Sequence, residues 1–217
     1  MKLSQIQKLI SPARYDRYLI AVGNDPEKAF RLYKANLRVA KGFHPVLGIF
    51  EVILRNRLDE ELKRHFKDAN WAINKRYSLP DMMTKEILFA EKRLIDKGGL
   101  VTNSKIIADQ TLGFWTGQLE KSNFKKLAGC PIQAFGHLPK DKNRTDISNR
   151  LNQVRIFRNR INHNEPICFS EATVDLRYAE DVHQKIYELL DWIDPDAKKF
   201  LRDMDSVLKE IDRAKRI

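Results

Sequence analysis

The sequence predicts an all-α fold, and three observations predict it. Apolar residues recur at every third or fourth position along most of the chain, the spacing of one helix face. No stretch sustains the period-two alternation of a half-buried strand, and no Asn-Gly or Asp-Gly pair marks a tight hairpin. Proline and glycine fall where helices should begin and end.

Ser11-Pro12 reads as the N-cap and first position of a short helix through Leu19 and Ile20 that stops at Gly23. Asn24-Asp25-Pro26 repeats the signal for a helix carrying Phe30, Tyr33, Leu37 and Val39, closed by Gly42. Pro45 opens the next helix. There Phe50, Leu54, Leu58, Leu62 and Phe66 recur at every fourth residue with Ile53 beside them, which predicts a core stripe. Residues 67–79 read as a loop around Trp71. Pro80 starts a helix through Ile87, Leu88, Leu94 and Ile95, ended by Gly98-Gly99.

Thr102-Asn103-Ser104 caps a further helix, which meets a glycine-loosened turn at Gly113-Phe114-Trp115. Residues 129–145 form the longest predicted loop. A helix follows from about Asp146 to His163, with Val154, Phe157 and Ile161 on one face. Beyond Pro166 a long helix is predicted from Ser170-Glu171 through Val174, Tyr178, Val182, Ile186, Leu189 and Ile193, broken by Pro195. Phe200, Leu201, Met204, Leu208 and Ile211 then mark a terminal helix. The organisation expected is one helical domain over 1–195. Residues 196–217 are set apart as a C-terminal helix that packs on the domain or at an interface.

The chain has 217 residues, enough for one sizeable core. Its net charge of +11 predicts a surface that attracts polyanions. The charge is uneven. Between Lys140 and His163 stand seven Lys or Arg against two Asp, which concentrates +5 of the +11 there. Two distant cysteines, Cys130 and Cys168, argue for a reducing compartment and against a disulfide scaffold or zinc site. With no apolar leader and no run long enough to span a bilayer, a soluble cytoplasmic protein without membrane partners is expected. No Walker loop, His-Glu-x-x-His or Cys-x-x-Cys appears, so neither a metal nor a cofactor is expected.

The chemistry-bearing stretch is L-N-Q-V-R-I-F-R-N-R-I-N-H-N-E-P, residues 151–166. Arginine is always charged and forks onto phosphate oxygens, while histidine can move a proton near neutral pH. Arg158 and Asn159, followed by His163, carry the spacing R-N-x-x-x-H. This resembles the signature of HEPN-domain ribonucleases. Three blocks in order resemble the Abi-like, abortive-infection branch of that superfamily: F-E-V-I-L-R-N-R-L (50–58), L-G-F-W-T-G-Q-L (112–119) and R-L-N-Q-V-R-I-F-R-N-R-I-N-H-N-E-P-I (150–167). Where the family often has a second histidine after the motif, this chain has Asn164.

The resemblance implies a HEPN-type helical bundle with additional helices. It also implies a homodimer whose two motifs face one cleft, and metal-independent RNA cleavage used as a toxin or in phage defence. Some members of the superfamily only bind, so a non-catalytic RNA-binding or protein-binding module of the same fold is the competing expectation. A DNA-binding protein that reads phosphates with the arginine helix is a third. RNA is the expected ligand, with an antitoxin as a further candidate partner.

RNA can be cut without a metal because its own 2′-hydroxyl can attack the adjacent phosphorus. Histidine suits the proton transfers and arginine the growing charge. Arg158, Asn159 and His163 are therefore the catalytic candidates. Arg150, Arg155 and Arg160 are the RNA-binding ones. Glu51 and Arg55, one turn apart, are expected to pair and to support the site. On an ideal helix Arg158 and His163 point about 140° apart, whereas Asn159 and His163 share a face. Either the helix ends at His163 so that its side chain swings round, or a symmetric partner supplies the complementary group.

Overall fold

The computed structural model describes residues 3–171 and 173–217. In chain order its helices are α1 (Leu3–Ile10), α2 (Pro12–Ala21), α3 (Pro26–Phe66), α4 (Trp71–Asn74), α5 (Asp81–Asp96), α6 (Asn103–Asp109), α7 (Leu112–Gly117), α8 (Lys121–Lys126), α9 (Arg144–Asn162), α10 (Arg177–Ile193), α11 (Ala197–Arg202) and α12 (Val207–Ala214). Two-residue strands β1 (Phe169–Ser170) and β2 (Thr173–Val174) lie between α9 and α10. The fold is all-α apart from this hairpin. Among the described residues no helix is long and apolar enough to cross a membrane.

The chain divides into two compact units. One comprises the residues up to Gly48, Ile156–Lys185 and Leu201–Ile217, and the other Ile49–Arg155 and Ile186–Phe200. The division does not fall between residues 195 and 196, where the sequence set apart a terminal helix. That terminal stretch holds two short helices, α11 and α12, in place of one. Leu3–Ile10, which carried no helix expectation, form α1.

In the first unit Asp25 begins α3, its Oδ1 accepting hydrogen bonds from the backbone N–H of Glu27 and Lys28 at 2.9 and 3.0 Å. The Tyr15 hydroxyl donates to the Pro26 carbonyl at 2.9 Å, which pins the α2–α3 connection. The predicted break at Gly42 and restart at Pro45 is absent, and α3 runs through both. Two physical reasons account for this. Val39, Phe43, Val46, Leu47 and Phe50 are all buried. Their burial, at about 1.5–3 kcal/mol per side chain, outweighs a proline penalty of about 3 kcal/mol. Gly42 meanwhile serves close approach: a Cβ there would stand 3.3 Å from Ser206 Oγ and 3.4 Å from Val207 Cα.

The expected helix start at Ser170-Glu171 is also corrected. Ser170 pairs with Thr173 and Phe169 with Val174, and α10 begins at Arg177, whose N–H donates to Asp175 Oδ1 at 2.8 Å. Tertiary contacts decide it. Ile167, Cys168 and Phe169 are buried. The Ile167 N–H donates to Asn36 Oδ1 at 2.8 Å, and Phe169 meets Tyr18 edge-on at 5.0 Å. Burial pushes the Cys168 thiol up to about 12 and the Cys130 thiol up to about 11. Both should therefore resist iodoacetamide near neutral pH in the native protein and react fully once unfolded, as mass spectrometry can count. Rapid alkylation of the native chain would contradict this packing.

In the second unit the stripe on α3 is as predicted: Phe50, Leu54, Leu58 and Leu62 are buried, with Phe66 half-buried. The expected loop over 67–79 contains α4 and a single 3-10 turn at Arg76–Ser78. Trp71 is the reason. It is fully buried, donates its indole N–H to Asp59 Oδ1 at 2.8 Å, and Lys63 holds the other carboxylate oxygen at 2.7 Å. Asn103 completes the support, accepting the Ala72 N–H at 2.9 Å and donating to the Ala69 carbonyl at 3.1 Å. On α5 Ile87 is buried, whereas Ile95 is 63% exposed. Gly113 sits inside α7, not in a turn between helices, because Thr111 Oγ1 caps that helix by accepting the Phe114 N–H.

Candidate active site at the end of helix α9

Helix α9 starts with a reciprocal cap. Asn143 Oδ1 accepts the Thr145 N–H at 2.8 Å, and Asp146 reaches back to the Asn143 N–H at 2.9 Å. Ile147, Leu151, Val154, Phe157 and Ile161 form its buried face. In the first unit Phe157 packs edge-on against Phe43 at 4.7 Å and Tyr178 at 5.5 Å.

The helix ends in a wound-back turn. Asn164 takes a left-handed backbone (φ 52°), its N–H donates to the Ile161 carbonyl at 3.0 Å, and the Glu165 N–H donates to the Arg160 carbonyl at 2.8 Å. This is the Schellman arrangement, with asparagine in the position glycine usually fills. It makes His163 the C-cap residue, immediately after the last helical residue, Asn162. His163 is exposed, and among the described residues its imidazole meets no hydrogen-bond partner. Its N–H donates to the Asn159 carbonyl at 2.9 Å. The link between Asn159 and His163 thus runs through the backbone, with no bond from the Asn159 amide.

The arginines divide by role. Arg160 donates to the Pro166 carbonyl and lies 3.6 Å from the Glu165 carboxylate, so it clamps the turn that places His163. Arg150, expected to bind RNA, is committed elsewhere in the second unit. It bonds Glu188 at 2.8 Å and lies 4.7 Å over the Trp192 ring. Arg155 donates to Asn152 Oδ1 at 2.7 Å and lines a cavity of about 290 Å³ with Met82, Met83, Glu86, Gly113 and Asn123. Burial raises the Glu86 carboxyl in that cavity above its ordinary range. Arg158 and Asn159 are half-buried, and Arg158 is not without a partner.

The expected pair of Glu51 and Arg55 is not formed. Arg55 turns its Nε to Asn56 Oδ1 at 3.3 Å and lines a polar cavity of about 440 Å³ with Asn56, Asn70, Thr102 and Ser104. Glu51 has its own partner. His183, which stands in no paired spacing and reads from the sequence as structural, is buried and pairs with Asp205 at 2.6 Å. Sequence reasoning passed over one feature. The run from Lys28 to His44 contains no acidic residue, and that signal was readable.

Among the described residues no group of three or more His, Cys, Asp or Glu is placed to hold a metal ion. Compared with protein-family models, curated proteins and solved structures, the chain has no match.

Proposed function

We propose that the chain is a metal-independent endoribonuclease of the HEPN type, acting as a toxin or in abortive-infection defence, with His163 as the proton carrier and Arg158 as the charge stabiliser. The observation that carries the reading is the exposed imidazole of His163, held at the end of α9 by the Asn164 turn and the Arg160 clamp. It stands five residues from an arginine in a chain of net charge +11.

In the proposed reaction the RNA 2′-oxygen attacks phosphorus and gives its proton to a basic imidazole. The bond from phosphorus to the 5′-oxygen breaks, and that oxygen takes a proton from an acidic group. The products are a 2′,3′-cyclic phosphate and a 5′-hydroxyl. One histidine cannot be base and acid at once. A homodimer presenting two His163 and two Arg158 to one cleft supplies both.

Purified protein is therefore expected to cleave labelled RNA in the presence of EDTA and to leave 2′,3′-cyclic or 3′-phosphate ends. A requirement for added divalent metal, or equal cleavage of DNA, would sink the mechanism. Arg150 and Arg160, committed to internal contacts, are withdrawn from direct RNA binding, and the competing reading is a non-catalytic binding module of the same fold. It predicts RNA retention without products.

A further inference from the structure

The first unit holds a second basic feature outside α9. Between Glu27 and Glu51 helix α3 carries Lys28, Arg31, Lys34, Arg38, Lys41 and His44 and no acidic residue. Arg31, Lys34, Arg38 and Lys41 are all exposed. Their spacing of three, four and three residues places them within an arc of about 80° over about 15 Å of helix. The buried face, centred on Leu32, Val39 and Phe43, lies about 140° round the helix.

Several arginines elsewhere on the surface meet carboxylates, as Arg57 meets Asp194, Arg93 meets Asp109 and Arg177 meets Asp175. The four on α3 do not: among the described residues none has a carboxylate within ion-pair distance. Lys34 rests over the Phe30 ring at 4.5 Å, which positions its ammonium without neutralising it. Four like charges in a row repel one another. Water and salt screen that repulsion in part, and a row of phosphates would neutralise it.

We infer that this face of α3 is a docking track for the phosphate backbone of an RNA strand. The inference rests on RNA being the ligand, as proposed above, but not on the chemistry at His163. Arginine forks suit phosphate oxygens, and a straight array of about 15 Å suits an extended strand. A lipid surface fits less well. Among the described residues of α3 up to Gly48 the only exposed large hydrophobic is Leu37, at 39%. A membrane-lying helix needs an apolar face to insert. The track also lies on the opposite side of α3 from Asn36 and Phe43, which meet the segment of Phe157 and Ile167. Holding the strand and cutting it are thus assigned to different faces.

The test replaces Arg31, Lys34, Arg38 and Lys41 together by glutamine, with Arg38→Glu as a milder second variant. Binding of a labelled oligoribonucleotide is followed by fluorescence anisotropy across a salt series, and circular dichroism confirms that the variants are folded. Each lost phosphate contact should flatten the slope of log K against log salt by about 0.7, hence by about 3 for all four. His163→Ala should bind as the wild type does. If the fourfold variant keeps the wild-type slope, the track is wrong whatever the cleavage assay shows. If it loses the slope while His163→Ala still cleaves normally, the track stands and the catalytic reading falls. Tighter binding to vesicles of phosphatidylserine than to RNA would overturn the choice of ligand.

Discussion

Replacing His163 by alanine is expected to lower the rate of RNA cleavage by about 10²–10⁴-fold, the usual worth of a positioned proton-transfer group. Stability should hardly change. The side chain is exposed and makes no hydrogen bond among the described residues, so its loss should fall within about 0.5 kcal/mol of neutral. Single-turnover rates beside a urea melt check both halves. Arg158→Ala should lose rate to a similar degree. If each cleft combines the histidine of one chain with the arginine of the other, mixing the two inactive variants should restore part of the activity through subunit exchange. A protein that stays monomeric at working concentration, or that cleaves normally without His163, would leave the binding module as the better reading.

The second large effect is on stability. Phe157→Ala should cost about 3–5 kcal/mol, because it empties a fully buried ring site between Phe43 and Tyr178. For a chain of this size that lowers the melting temperature by about 10 °C. Ile95→Ser is the matched control. Ile95, an apolar residue of α5, is 63% exposed, and its loss should be nearly neutral. A small effect at Phe157, or a large one at Ile95, would mean that these faces are packed differently.

The helices also show what the sequence could and could not convey. Periodicity identified the buried faces of α3 and α9 because a helix repeats its environment every turn, and Leu54, Leu58 and Phe157 all follow that rule. It failed at Gly42 and Pro45, where local propensity argued for a break and burial of Val39, Phe43, Val46, Leu47 and Phe50 outweighed it. It failed again at Ser170, where a hairpin stands in place of a helix start. The bond from the Ile167 N–H to Asn36 spans 131 residues, and no local window contains it.

At the candidate site the histidine, its offset from the arginine and the end of the helix were legible. The division of the arginines was not. Arg150 and Arg160 look alike in sequence, and only their partners, Glu188 with Trp192 and Pro166 with Glu165, assign them to structural work. The acid-free run on α3 was legible as well, since it needs only the order of the residues.

The suppressed acidity of Cys130 and Cys168 has a practical consequence for the question of assembly. Because both natural thiols stay protonated near neutral pH, neither needs to be removed before a reporter is attached. A single cysteine introduced at exposed Asn162, beside the candidate histidine, can carry a nitroxide selectively. Dipolar spectroscopy then reads the separation of two such labels directly. A sharp short-range distribution would place the ends of two α9 helices together, and the absence of any dipolar signal would separate them.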